Sequence, residues 1–158
     1  MRLTDRTALL LLGLASLLAL LTAYSLQYLA GFAPCQLCYW QRYPYMAVIA
    51  VSALGALTGL VRPALAVTGV LFLVGAGIAF YHAGVEQGVF ALPAGCISVG
   101  TATSIEDLRA QLTAAAPSCD QISVAFLGLS LSAWNGIAAA TLTLATVAAL
   151  LKTRPISR

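Results

Sequence analysis

The chain has 158 residues, of which 61% are hydrophobic and 8% charged, with a formal net charge of +3 and a mean hydropathy of +0.94. That balance excludes a water-soluble domain and points to a chain that folds in lipid. Internal repeats, phosphate-cradling glycine loops and nucleic-acid-binding patches are absent from the sequence, so no nucleic-acid partner is expected.

Apolar runs fall at Thr7–Leu29, Tyr43–Val61, Ala64–Gly84 and Phe126–Leu151, each near the ~20 residues that a helix needs to cross a bilayer. The first run follows Arg2 and Arg6, as a secretory signal would, but its length of about 23 residues exceeds the ~7–15 of a signal core, which favours a retained span. The expected fold is an all-α membrane protein: a single domain over residues 1–158, built as a four-transmembrane-helix bundle.

The loop after the first run, Ala30–Arg42, carries Pro34, Cys35, Cys38 and Arg42. Two thiols at Cys-x-x-Cys spacing close a small disulfide ring, and at a helix start such a pair has a lowered thiol pKa. A ring that small restricts the unfolded chain little, so its use is exchange rather than stapling. Arg42 lies four residues beyond Cys38 and shares its helical face, where it can stabilise charge on an acceptor's oxygen or simply snorkel to the interface. Tyr39, Trp40, Tyr43 and Tyr45 read as an interfacial belt from which one or two rings can wall a site.

Val61-Arg62-Pro63 reads as a tight turn into the third run, because proline disfavours helix at the residue before it. Gly55 and Gly59 are four apart, a spacing for close packing between helices inside one chain, and a monomer is expected. Near the end of the third run, His82 and Glu86 share one helical face and can hydrogen-bond or move a proton. The long loop Val85–Ile122 holds Cys96 and Cys119, and between them Ser104 through Leu112 has a helix start followed by apolar residues at Ile105, Leu108 and Leu112. Asn135 falls within the fourth run, where an amide needs a partner on another helix.

Arg2, Arg6, Arg62, Lys152, Arg154 and Arg158 fall on one side of this topology, leaving Arg42 and Arg109 on the other. Lysine and arginine favour the cytoplasmic side, so both termini are expected there and both cysteine loops outside. In an oxidising compartment the four cysteines form two bridges, in any of three connectivities. Inert staples are one alternative. Zinc is another, disfavoured because only one close pair is present, and no metal is expected.

Pro34-Cys35-Gln36-Leu37-Cys38-Tyr39-Trp40-Gln41-Arg42 resembles the redox loop of the DsbB family. Tyr81 through Glu86, Pro117-Ser118-Cys119-Asp120, Phe126 through Ser130, and Trp134-Asn135 resemble that family in order and placement, so the likeness spans nearly the whole chain. It implies an enzyme of the bacterial inner membrane with two periplasmic cysteine-bearing loops. Such an enzyme reoxidises a DsbA-like thioredoxin-fold oxidase and passes the electrons to a quinone, ubiquinone or menaquinone, the system that keeps the periplasm oxidising. By resemblance, Cys96 and Cys119 form the partner-facing disulfide, Cys119 attacks Cys35, and Cys38 donates to the quinone beside Arg42 and His82. Vitamin-K-epoxide-reductase-like enzymes also join four helices, two cysteine pairs and a quinone, but carry the close pair near a later span, whereas here it precedes the second.

Overall fold

The computed structural model describes residues 3–93, 96, 104–106, 109, 117–122 and 124–152. Arg2, Arg154, Arg158, Asp107, Leu108 and Leu112 lie outside them; of the expected loop helix, Ile105, Glu106 and Arg109 are described and helical. Besides that loop segment, the described residues form four long helices and one short hairpin.

Helix α1 (Leu3–Tyr28) is a leucine- and alanine-rich run that ends where Leu29 and Ala30 donate to the Ser25 carbonyl and Gly31 turns left-handed at φ 74°. Helix α2 (Gln36–Thr58) begins seven residues before the expected start at Tyr43. The reason is a thiol cap. Cys35 sits extended at the N-cap and its Sγ accepts from the Cys38 backbone N–H at 3.2 Å, satisfying one of the free donors of the first turn. Cys38 and Arg42 are therefore helical residues rather than loop residues.

The turn between α2 and α3 is Gly59–Leu60, not Val61–Pro63. Gly59 takes φ 78°, a left-handed cap open to glycine, and Pro63 occupies the first turn of α3 (Val61–Glu86), where its missing N–H costs no helical bond. Phe126, expected to open the fourth span, instead lies in a two-stranded antiparallel hairpin of β1 (Ala125–Phe126) and β2 (Leu129–Ser130). Leu127 and Gly128 both have positive φ, at 51° and 78°, the geometry of a two-residue hairpin turn. The Trp134 indole N–H donates to the Phe126 carbonyl at 2.9 Å and ties the hairpin to helix α4 (Leu131–Lys152).

The helices alternate in direction. α3 packs broadly on α2 and α4, α1 packs on α2, and the seam between α1 and α4 is the loosest of the ring. Leu9, Leu12, Leu20, Tyr45, Val48, Leu65 and Phe72 fill the core, while Leu14, Leu21, Leu57, Leu73 and Leu144 face outward. An apolar exterior of this kind suits hydrocarbon surroundings. Thr4–Tyr28, Val61–Glu86 and Leu131–Lys152 are each long and apolar enough to cross a membrane.

Close approach of α2 to α3 depends on Gly55, whose added Cβ would stand 2.4 Å from the Ala64 Cβ and 3.1 Å from Leu9. At that end of the bundle Arg62 donates to the Leu150 carbonyl at 3.4 Å, joining the start of α3 to the last turn of α4. The described cysteines gather at the opposite end.

Candidate active site

Three chain segments bring the cysteines together. The N-terminus of α2 supplies Cys35 and Cys38, and the segments carrying Cys96 and Cys119 fold over it. Cys35, Leu37, Val85, Cys96 and Cys119 form one buried cluster, with Cys38, Tyr81 and Leu92 packed against it. Cys96 and Cys119 are disulfide-bonded, their Cα atoms 5.6 Å apart. Cys35 and Cys38 are free thiols whose sulfurs lie 2.7 Å apart. Both disulfide-bonded residues are buried, Cys119 completely and Cys96 with 8% of its surface exposed.

The two close thiols are unequal. Hydrogen bonding from Cys35 holds Cys38 below the ordinary thiol value, with help from its backbone contact with Cys35 and the Arg42 charge, against burial and Glu86. Cys35 is pushed the other way, first by sharing that hydrogen bond with Cys38 and then by burial. When the reduced pair gives up one proton, Cys38 is therefore the thiol favoured to lose it and Cys35 the one to keep it.

Cys35, Cys38, Arg42, His82 and Glu86 line one cavity of about 340 Å³. Its walls come from Ala19, Ala23 and Leu26 of α1 and from Leu131, Trp134 and Ala138 of α4, so it lies along the loosest seam of the ring. Arg42 is buried. Its Nη1 donates to Gln27 Oε1 at 2.6 Å, and its guanidinium lies 4.8 Å from the Tyr24 ring centre and 5.2 Å from that of Tyr39. These contacts hold a cation in a mostly apolar wall of the cavity.

His82 stands between the thiols and the bundle interior. Its Nε2 lies 3.5 Å from Cys35 Sγ and 3.7 Å from Glu86 Oε1, and its Nδ1 lies 2.6 Å from Gln41 Nε2. Glu86 is buried and accepts from Ser132, whose hydroxyl pairs with Ser130 at 2.8 Å. The amide of Asn135 bonds Gln41 and Tyr45 from α4, the cross-helix partnership that its place in an apolar run requires. Tyr39, Trp40 and Tyr43 are exposed, and of the four aromatic residues Tyr45 alone is buried. Ligand atoms of Cys35, Cys38 and His82 lie within 4.8 Å of one another, the described set best able to hold a thiophilic ion.

Sequence reading missed Gln27, Gln41 and Ser132. Gln41 carried a usable signal, being a polar residue three beyond Cys38 on a helix that must bury it. Gln27 and Ser132 carried none beyond polarity near the ends of apolar runs.

The sequence profile described as "Disulfide bond formation protein DsbB" matches residues 5–149 of the chain. A Rickettsia prowazekii (strain Madrid E) protein described as "Uncharacterized protein RP370" is 32% identical over an alignment of 130 residues that covers 76% of this chain and 73% of that protein.

Proposed function

Because the chain belongs to the DsbB family of disulfide bond formation proteins, a multi-pass membrane family of thiol oxidoreductases, we propose that it is a protein thiol:quinone oxidoreductase of the bacterial inner membrane. Its substrate is a DsbA-like periplasmic dithiol oxidase and its electron acceptor a membrane quinone. α2 from Tyr43 onward is the fourth span, so that Cys35 and Cys38 stand outside it; both termini are cytoplasmic and the cysteine-bearing segments periplasmic, the orientation favoured by Arg6, Arg62 and Lys152 at the other end.

One observation carries the reading: a half-buried dithiol, a cation and an imidazole share a cavity between α1 and α4, and the Cys96–Cys119 disulfide packs against that dithiol. A soluble thiol donor stays out of lipid and a quinone stays in it, so an intermediary needs one disulfide for each phase. The cavity fits a flat ring with two carbonyl oxygens. It is within the usual size of small-molecule sites, its walls are apolar, and Arg42 and His82 offer donors beside Cys38. A quinone bound there supplies a two-electron, two-proton acceptor.

The thiol chemistry follows from the family resemblance and from charge. A partner thiolate attacks Cys96, the Cys96–Cys119 bond breaks, and Cys119 leaves as a thiolate. With Cys35–Cys38 oxidised, Cys119 attacks Cys35, and Cys38 leaves with the electron pair as the stabilised thiolate. The partner's second thiol displaces Cys96 and completes the partner's disulfide. Cys96 then attacks Cys119, restoring their bond and releasing Cys35. Loss of two electrons re-forms Cys35–Cys38. Arg42 steadies the Cys38 thiolate once it is released and would donate to an oxygen of the acceptor.

Purified protein, a quinone analogue and a reduced thioredoxin-fold periplasmic oxidase test this directly. The expected result is one quinone reduced per dithiol oxidised, abolished in Cys38→Ser. A Cys38→Ser protein that still couples the two, or wild type that couples neither ubiquinone nor menaquinone analogues, overturns it.

A further inference from the structure

We infer that Tyr45, Asn135 and Gln41 form a directional hydrogen-bond relay that fixes His82 in the tautomer with its proton on Nε2, toward Cys35 and Glu86. The consequence for chemistry rests on the proposed function; the tautomer follows from the bonding alone.

Tyr45 Oη, the Asn135 amide, the Gln41 amide and His82 Nδ1 are joined by three contacts of 2.6 Å each. Each amide can be turned over, so the chain of bonds has two polarities. In the first, the Tyr45 hydroxyl donates to Asn135 Oδ1, Asn135 Nδ2 donates to Gln41 Oε1, and Gln41 Nε2 donates to His82 Nδ1. In the second every donor becomes an acceptor, and His82 Nδ1 must carry the proton.

The two ends decide between them. Tyr45 is only 4% exposed, and among the described residues Asn135 is its hydrogen-bond partner. The second polarity makes Tyr45 an acceptor and strands its hydrogen, a loss that corresponds to about a 5- to 150-fold preference for the first. At the other end, Nε2 faces Glu86 Oε1 and Cys35 Sγ. A carboxylate only accepts, so a bare Nε2 would set lone pair against lone pair. Both ends select Nε2–H.

His82 thus acts as a neutral donor toward the sulfur and carboxylate. A second proton on Nδ1 would set N–H against the Gln41 N–H, and turning Gln41 and Asn135 to relieve that would strand the Tyr45 hydroxyl. Gln41, Asn135 and Tyr45 are positioning residues, acting on the thiol site through His82.

His82 is the chain's one histidine, so a ring-15N-histidine label reports a single site in the full-length protein in nanodiscs. Long-range proton–nitrogen spectra of wild type are expected to give a protonated Nε2 and a bare Nδ1. Gln41→Glu offers only acceptors and is expected to move a proton onto Nδ1. Tyr45→Phe removes the anchor and is expected to raise the Nδ1–H fraction relative to Nε2–H by about 5- to 150-fold. Wild type with the proton on Nδ1, or a tautomer unchanged in both variants, overturns the relay. Quinone-dependent thiol oxidation measured on the same samples separates the two readings. An Nε2–H wild type without oxidation rejects the proposed function and leaves the relay standing; an Nδ1–H wild type with oxidation rejects the relay alone.

Discussion

Gly84 ties the fold to the thiol site through Phe90. A Cβ at residue 84 would lie 2.4 Å from Phe90 Cδ2 and 2.5 Å from Cε2, where ordinary contact begins near 3.4 Å, so Gly84→Ala drives the ring back by about 1 Å. Phe90 stacks on Tyr81 with centroids 5.4 Å apart, and the backbone N–H groups of Val89 and Phe90 both donate to the Gly84 carbonyl. Tyr81 also donates to the Ala91 carbonyl, and Leu92 packs on the cysteine cluster, so the shift passes into the segment approaching Cys96. A displacement near 1 Å at reacting atoms costs up to ~100-fold in rate, which bounds the effect on exchange between the two cysteine pairs. The assay is oxidation of the reduced partner, run beside quinone-dependent reoxidation of Cys35 and Cys38 in a Cys96→Ser, Cys119→Ser background. Gly84→Ala is expected to slow the first by roughly ten- to a hundredfold and spare the second. Wild-type partner oxidation in a folded Gly84→Ala protein refutes the coupling.

Gly55→Ala presses a methyl group against Ala64 and Leu9 and is expected to destabilise the bundle by about 1–3 kcal/mol, read as a lower unfolding midpoint in micelles. Asn135→Leu leaves Gln41 Oε1 and the Tyr45 hydroxyl without their partner and is expected to cost about 1–3 kcal/mol per stranded group in the same measurement. Cys38 is held below the ordinary thiol value, so it stays a thiolate as pH falls through that range, while Cys35, pushed up, stays protonated. Alkylation mapped by mass spectrometry should therefore fall on Cys38. Its pH profile should move upward in Arg42→Met, and further in Cys35→Ala, because the Cys35 hydrogen bond is the larger cause. Equal labelling of the two thiols refutes the asymmetry.

Hydropathy made the helical character legible, and i, i+4 spacing made the His82–Glu86 pair legible, because both signals are local in the chain. The start of α2 was not legible. Gln41 and Arg42 look like loop residues until His82, Asn135 and Gln27, on three other helices, are there to receive them. The hairpin escaped for the opposite reason: Phe126-Leu127-Gly128-Leu129 is as apolar as a span, and only the positive φ at Leu127 and Gly128 turns it back. The bond that Ser132 donates to Glu86 was not legible either, because it is made only when α4 packs on α3.

The loose seam between α1 and α4 offers a way to separate the two half-reactions. Ala19 and Ala23 of α1 and Trp134 and Ala138 of α4 line the cavity, and the three alanines leave it room on both helices. A ring introduced by Ala23→Phe fills part of the cavity from the α1 side, whereas Cys96 and Cys119 lie outside its lining. Formation of the mixed disulfide with the partner, trapped by acid quench, is then expected at the wild-type rate, while the quinone concentration needed for half-maximal turnover rises. Quinone dependence that is unchanged in Ala23→Phe would mean that electrons leave Cys38 by a route other than this cavity. A parallel loss of mixed-disulfide formation would mean that the two halves of the site are not separable as their placement implies.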